Sequence, residues 1–350
     1  MDVTFETFRG DVEDLEAMAH TAWRDEYGLD SYPNLYSPKY FDYLCGAIEH
    51  RDHLIGAYRN NMLTAFLAAL PRRFHFKGEI YRAALACLLV TRKEAFRKGI
   101  ALGLVAKALE INKKYGYDFA LLYLETGHRS SKMLRKLKEA GNPVHKVKRM
   151  NVIIRAIDLE KIFASENVKW YEKALMRTLK LDKVNPRPRH ASIRRFQAED
   201  LDQCGKLLDD HKNNVTLTRI LDPDECLREL NYKDVSHSLV WDENGTIRGL
   251  INWALIDHVG KFPQRWAWLN HLHFGDLNPQ ESNELVRAFV LKTKVQQAAG
   301  AVEWAKNYYR KGPLWKNRFI PYFRSVDMLA WVFNPELDLS DIPDVYELQI

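Results

Sequence analysis

The stretch Leu88-Leu89-Val90-Thr91-Arg92-Lys93-Glu94-Ala95-Phe96-Arg97-Lys98-Gly99-Ile100-Ala101 decides how this chain is read. An apolar strand runs into a short loop, and the loop opens a helix that the spacing predicts over Ile100–Tyr115, ended by Gly116. At such a junction the first N–H groups of the helix have no internal partner and the helix dipole is positive, so the site receives anions. Gly99 and Ala101 are small enough to let a bulky ligand approach the backbone. Arg97 and Lys98 run against the dipole, at roughly 0.3–1 kcal/mol each when exposed, unless a polyanion sits among them. The plain alternative is a solvated basic turn with a packing glycine.

Outward from this junction the first half alternates strands and helices. Val3–Phe8 reads as a strand and Asp11–Trp23 as a helix. His53–Tyr58 and Met62–Ala69 form a hairpin across Arg59-Asn60-Asn61, and Tyr81–Val90 is a near-continuous apolar strand. Asp118–Glu125 reads as a buried strand, Arg129–Ala140 as an amphipathic helix stopped by Gly141-Asn142-Pro143, and Lys146–Ile157 as a strand. The stretch Asp158–Leu181 reads as helical, with Val168, Tyr171, Leu175 and Thr178 at helical spacing. Asn185-Pro186-Arg187-Pro188-Arg189 reads as a linker.

The same order of elements then begins again. Ser192–Phe196 is a strand, Ala198–His211 a helix, and Leu239–Trp241 meets Ile247–Ile256 across a turn ending in Asn244-Gly245. Arg265–Phe274, Pro279–Ala299 and Ala301–Ala305 follow as strand, helix and strand. The expected architecture is therefore α/β (α+β): two tandem folds, each a mixed, mostly antiparallel sheet flanked by helices. The divisions fall at 1–157, 158–189 and 190–350.

Composition bounds the rest. At 350 residues, 46% of them apolar, the chain can build two packed cores. No apolar run reaches membrane-spanning length, and Met1–Glu6 lacks the features of a secretory signal. Cys45, Cys87, Cys204 and Cys226 show neither metal-ligand nor disulfide-dense spacing, so a reducing cytoplasm is the simplest setting. The net charge of +6 gathers in Arg129–Arg149 and Lys169–Arg195, while Pro335–Leu348 is acidic. Such basic stretches read as solvated surface, as a site for a phosphate-rich small molecule, or as a nucleic-acid face. No nucleic-acid-binding signature accompanies them.

The strand, loop and helix around Gly99, followed by the 118–125 strand, resemble the acyl-CoA-binding segment of the GNAT (N-acetyltransferase) superfamily. That family's loop is Gln/Arg-x-x-Gly-x-Gly/Ala, whose backbone amides hold the coenzyme A pyrophosphate. The matching residues here are Phe96-Arg97-Lys98-Gly99-Ile100-Ala101, with Phe96 where Gln or Arg is usual. The resemblance in element order spans Val3–Ile157. It implies that the thioester arm lies along Cys87, Leu88, Leu89 and Val90 and that an amine attacks the thioester directly. Acetyl-CoA is the default donor, another acyl-CoA the alternative, and no metal takes part. The family's usual acid, a tyrosine shortly before the closing glycine, is replaced by Leu137. Glu125 and Glu79 are then candidate bases and Tyr123 a candidate acid, with Tyr81, Cys87 and His128 behind them. For each, packing or surface roles compete.

The second half lacks the anion site. Asn278, Pro279 and Glu281 form a near capping box that claims the helix amides, and Asp276, Glu281 and Glu284 repel phosphate. Trp266 and Trp268 alternate with His271 and His273 on one strand; two histidines without a third ligand do not specify zinc. Trp304, Tyr308, Tyr309, Trp315, Phe319, Tyr322 and Phe323 cluster near the end, as core or as a substrate pocket. This layout is similar to N-myristoyltransferase and mycothiol synthase, a likeness that nominates the terminal carboxylate of Ile350 as a base. The leading expectation is an acyl-CoA-dependent N-acyltransferase acting on an amine-bearing small molecule or peptide. Its rivals are a non-catalytic acyl-CoA sensor and a nucleic-acid or other polyanion-binding module.

Overall fold

The computed structural model describes residues 3–28, 30–95, 99–127, 137–139, 141–184 and 190–347. Its first strands are β1 (Thr4–Thr7), β2 (Tyr32–Pro33), β3 (Leu54–Arg59), β4 (Met62–Phe76), β5 (Glu79–Thr91), β6 (Phe119–Glu125) and β7 (Val144–Ala156). The second series is β8 (Ile193–Arg195), β9 (Leu217–Ile220), β10 (Ser236–Glu243), β11 (Thr246–Val259), β12 (Gln264–His273), β13 (Gly300–Trp304), β14 (Ile320–Val332) and β15 (Val345–Tyr346). The helices used below are α1 (Val12–Tyr27), α2 (Pro38–Cys45), α3 (Ile100–Lys114), α4 (Leu159–Ser165), α5 (Trp170–Thr178), α6 (Leu201–Asp209), α7 (Pro223–Leu230) and α8 (Pro279–Val295).

The strands join in one sheet of order β1-β3-β4-β5-β6-β14-β7-β13-β12-β11-β10-β8. Neighbours are antiparallel except β5–β6 and β12–β13, the two places where a helix crosses between strands. The halves are thus the same arrangement used twice. They are not separate sheets, because β14, a strand of the last third, lies between β6 and β7 and pairs with both. Strand β7 also pairs with β13, and β2 pairs with β11. The sequence divisions therefore follow chain order, and the sheet crosses them.

The core follows from strand patterns. β5 is apolar on both faces because both are covered: Ala83, Leu85 and Leu88 join the cluster beneath α1 and α2, whereas Ala86 and Leu89 pack toward the clusters on the other side. Helix α3 places Ile100, Leu104, Ala108 and Ile111 on one stripe against Ile55, Ala57, Ala65 and Leu67.

The 158–181 segment is two helices, α4 and α5, interrupted after Ser165. Of the residues at helical spacing, Val168 packs against the first core, whereas α5 buries none of its residues and Tyr171 and Leu175 are exposed. The acidic tail is packed, with Leu337, Leu339, Ile342, Val345 and Tyr346 all buried. The helix read over Arg129–Ala140 lies outside the described residues except at 137–139, which are helical.

Candidate active site

The parallel pairing of β5 with β6 runs only from Ala83↔Phe119 to Ala86↔Leu122. Beyond it the strands continue to Thr91 and Glu125 without pairing, so a cleft opens between them. Its cause is visible in the β4–β5 register. Phe66 faces Val90 and Ala68 faces Cys87, leaving Leu88 and Leu89 opposite the single residue Leu67. This is a β-bulge, which bends its strand away from its neighbour. Leu88 takes the left-handed conformation, φ 56°, which costs a non-glycine residue about 1 kcal/mol. A β-branched residue tolerates it less. Leu88→Val is therefore expected to lower stability by about 2 kcal/mol, strain and a lost methylene together, against about 1 for Leu89→Val. Equal shifts of the urea midpoint for the two variants would contradict this.

At the mouth of the cleft, α3 begins at Gly99, whose φ of 75° suits glycine and whose position has no side-chain cap. A Cβ there would meet nothing within 4 Å, and Gly99 is exposed while Ala101 is half-buried. Ile100, by contrast, is buried and anchors the helix start. Among the described residues no side chain caps this first turn, and the space beside Gly99 is open. Phe96, Arg97 and Lys98 lie outside the described residues.

The second half is an internal control. β12 pairs with β13 from Trp266↔Gly300 to Trp268↔Val302 and then also diverges. Here the opening is filled by the protein. Lys306 Nζ donates to the Asn270 carbonyl at 2.9 Å, and the Leu272 amide donates to the Tyr308 hydroxyl at 3.1 Å. Burial pushes Glu303 up to about 7, against the pull of Lys306. At the start of α8, Asn278 Oδ1 accepts from the Gln280 and Glu281 amides at 2.9 and 3.0 Å, and Glu281 accepts from the Asn278 amide at 2.8 Å. Among the described residues, one half has no side-chain cap at its helix start and no strand pairing across its cleft, whereas the other closes both.

Residues 10–125 match the acetyltransferase (GNAT) domain family. The fold is a tandem GNAT fold. N-myristoyltransferase of Saccharomyces cerevisiae with bound myristoyl-CoA superposes with a TM-score of 0.76 at 14% identity, covering 94% of this chain and 82% of that one. A second crystal structure of that enzyme gives 0.77 at 13%, covering 99% and 85%. A GCN5-related N-acetyltransferase from Anabaena variabilis ATCC 29413 gives 0.54 at 11%, covering 94% and 72%. No curated protein sequence matches the chain.

Within this GNAT frame the residues singled out from sequence separate. Leu88, Leu89 and Val90 line the bulged strand, and Gly99, Ile100 and Ala101 open α3. Tyr123 stands just past the last β5–β6 pair, its ring 5.6 Å from that of Trp304. Its hydroxyl is buried and unpartnered among the described residues. Burial, then Glu347, raise its pKa well above the usual tyrosine value. Cys87 is pushed up to about 12, chiefly by burial.

Glu125 ends β6, partly exposed, with Arg324 Nη1 at 3.2 Å and the Tyr27 hydroxyl donating at 3.4 Å. Glu79 stands at the far end of β5, exposed beside the Lys77-Gly78 turn, and is not brought to the cleft. Tyr81 packs near Phe76 at that same end. Leu137 packs in the cluster of Val144 and Trp331. His128 and Ile350 lie outside the described residues.

Sequence reasoning missed a buried charged network behind the cleft. Arg219 of β9 meets Glu229 of α7 at 2.6 Å, with Glu347 and Glu225 at 3.5 and 3.6 Å. His271 Nε2 lies 2.6 Å from Glu229 and its Nδ1 2.5 Å from the Tyr346 hydroxyl. An ionised carboxylate only accepts, so in the neutral ring Nε2 carries the proton and Nδ1 accepts from Tyr346. Burial raises Glu229, but Arg219 and His271 outweigh it and hold its pKa at about 2. His273 instead pairs with His211 at 3.3 Å. Among the described residues no group of His, Cys, Asp and Glu could hold a metal, and no helix is long and apolar enough to cross a membrane.

Proposed function

We propose that this chain is an acyl-CoA-dependent N-acyltransferase that moves an acyl group from the thioester to a primary amine. The observation that carries the reading is the pairing of an open, bulge-made cleft with an uncapped helix start in one half, while the other half plugs both. The amides of Ile100 and Ala101, with the Phe96–Lys98 loop, hold the diphosphate of coenzyme A. The pantetheine arm runs along Leu88–Val90, where unpaired main-chain donors polarise the carbonyl as it gains charge. Tyr123, kept protonated at neutral pH by its raised pKa, is suited to donate toward the departing thiolate and not to act as base. Glu125, held by Arg324 and Tyr27, belongs to the rim where the acceptor enters.

Acetyl-CoA is the donor to test first, and a cytoplasmic setting agrees with the four free cysteines. The second reading is an acyl-CoA sensor, favoured by Leu137 in place of the family's acid. Thermal unfolding with acetyl-CoA and longer acyl-CoAs tests the site itself: ligand at a hundred times its Kd adds about 2.7 kcal/mol. A stabilised protein that also releases free thiol with a primary amine from a broad panel is a transferase. Stabilisation without thiol release across that panel would assign the sensor, and no stabilisation by any acyl-CoA would overturn both.

A further inference from the structure

Glu347 is buried, its side chain 1% exposed, yet neither carboxylate oxygen accepts a hydrogen bond from any described residue. Arg72 Nε and Arg219 Nε stand at 3.7 and 3.5 Å, within ion-pair range but not bonded. Buried acceptors left unmet are rare in folded proteins and ask for a partner. The direction in which this one acts is shown by its neighbours. Val345, two residues before it, belongs to the same buried cluster as Leu88 and Val90 of the cleft strand, and after burial it is Glu347 that raises the pKa of Tyr123 on β6. Among the described residues the buried hydroxyls of Tyr123 and Tyr36 also have no hydrogen-bond partner.

The segment carrying Glu347 is held on every side. Val345 and Tyr346 pair in parallel with Leu217 and Thr218 of β9, which in turn pairs with β4. Asp344 Oδ1 accepts from the Thr216 amide at 2.7 Å, and Lys148 donates to the carbonyls of Ile342 and Pro343. Tyr346 is tied through His271 to Glu229 and so to Arg219. The ionisable groups facing Glu347 are Arg72 of β4, Arg219 of β9, Tyr123 of β6, Cys87 of β5 and Lys306 after β13. Arg72 and Arg219 set positive charge beside the carboxylate, and neither of its oxygens accepts a hydrogen bond from a described residue.

We propose that Glu347 is the base that receives the proton of the acceptor ammonium, and that Tyr346, acting through His271, is the positioning residue that aims it. The proposal rests on the acyl-transfer reading above. The ammonium gives one proton to Glu347, and the neutral nitrogen attacks the thioester carbon. The C–N bond forms and the C–S bond breaks. The nitrogen's second proton passes to the thiolate, by way of the Tyr123 hydroxyl, giving amide and free coenzyme A; the proton on Glu347 then exchanges with solvent.

The test uses the full chain, acetyl-CoA, and the panel amine with the highest wild-type rate. Glu347→Gln is expected to bind acetyl-CoA with unchanged Kd while kcat falls about 100-fold or more. The acid limb of the wild-type kcat/KM profile should be replaced by a rate that climbs with the fraction of free amine. Glu347→Asp should recover part of kcat and restore the limb. Tyr346→Phe should lower kcat several-fold at unchanged KM for acetyl-CoA, with the limb kept. Unfolding midpoints verify that each variant folds. A folded Glu347→Gln with wild-type kcat and an intact acid limb would overturn the proposal and leave the acyltransferase standing. A wild-type protein that binds no acyl-CoA would remove both.

Discussion

Gly99→Glu is expected to weaken acyl-CoA binding by two orders of magnitude or more while the protein stays folded. A Cβ at this position meets open space, so the side chain itself displaces nothing. The left-handed φ of 75° costs the variant about 1 kcal/mol of stability, a modest loss for a domain of this size. The effect on the ligand is larger. A carboxylate about 5 Å from a phosphate charge meets a repulsion of about 3 kcal/mol at an effective dielectric constant of about 20. It also cancels part of the positive helix end and competes for its amides. Together these exceed the roughly 2.7 kcal/mol that separates a hundredfold change in Kd. Calorimetric titration with acetyl-CoA reads the loss directly.

The contrasting variant lies in the other half. Asn278→Ala removes a cap that accepts from two amides, and should cost about 1 kcal/mol of stability without changing the affinity for acyl-CoA. Should Asn278→Ala weaken acyl-CoA binding as Gly99→Glu does, the donor site would not be where the open helix start puts it.

This contrast was legible in the sequence because both features are local. Gly99 before an apolar helix and Asn278-Pro279 with Glu281 at the third position are signals written within a few residues, and the structure has an uncapped start at one and a full capping box at the other. The repeated order of strands and helices was readable for the same reason. The insertion of β14 between β6 and β7 was not. Its residues alternate weakly, from Pro321 to Phe323 they are unlike a core strand, and its partners lie far away in sequence.

The exposed face of α5 shows a different failure. Helical spacing in Tyr171, Leu175 and Thr178 predicts a helix with an apolar side, but nothing in the period says whether a neighbour covers it. The charged network failed hardest, since arginines and glutamates in a single sequence read as surface. Glu347 sits in a stretch whose composition is that of a solvated acidic tail. Leu339, Ile342 and Val345 are buried, and the strand pairing of Val345 and Tyr346 carries the neighbouring carboxylate inside with them.

Arg219→Met should produce the largest stability loss of any single change considered, about 3–5 kcal/mol at neutral pH. Arg219 is buried with its guanidinium beside Glu229, Glu347 and Glu225, and methionine fills similar volume without the charge. What remains is two buried carboxylates: Glu347, with Arg72 Nε at 3.7 Å, and Glu229, with the imidazole of His271 at 2.6 Å. The sign of the pH dependence follows from Glu229. Its native pKa of about 2 lies below the ordinary 4.5, so it stabilises the wild type fully above pH 4.5, and this contribution is lost as pH falls toward 2.

Without the guanidinium that depression disappears and burial, which raises the pKa, prevails. The variant's deficit should therefore be greatest at neutral pH and shrink as acid protonates the stranded Glu229. Urea midpoints for both proteins between pH 7 and pH 4 measure it. A deficit below about 1 kcal/mol at pH 7, or one that does not change with pH, would mean that the arginine is not the counter-charge on which this network depends. The same experiment bears on the proposed base, because Arg219 Nε stands 3.5 Å from the Glu347 carboxylate.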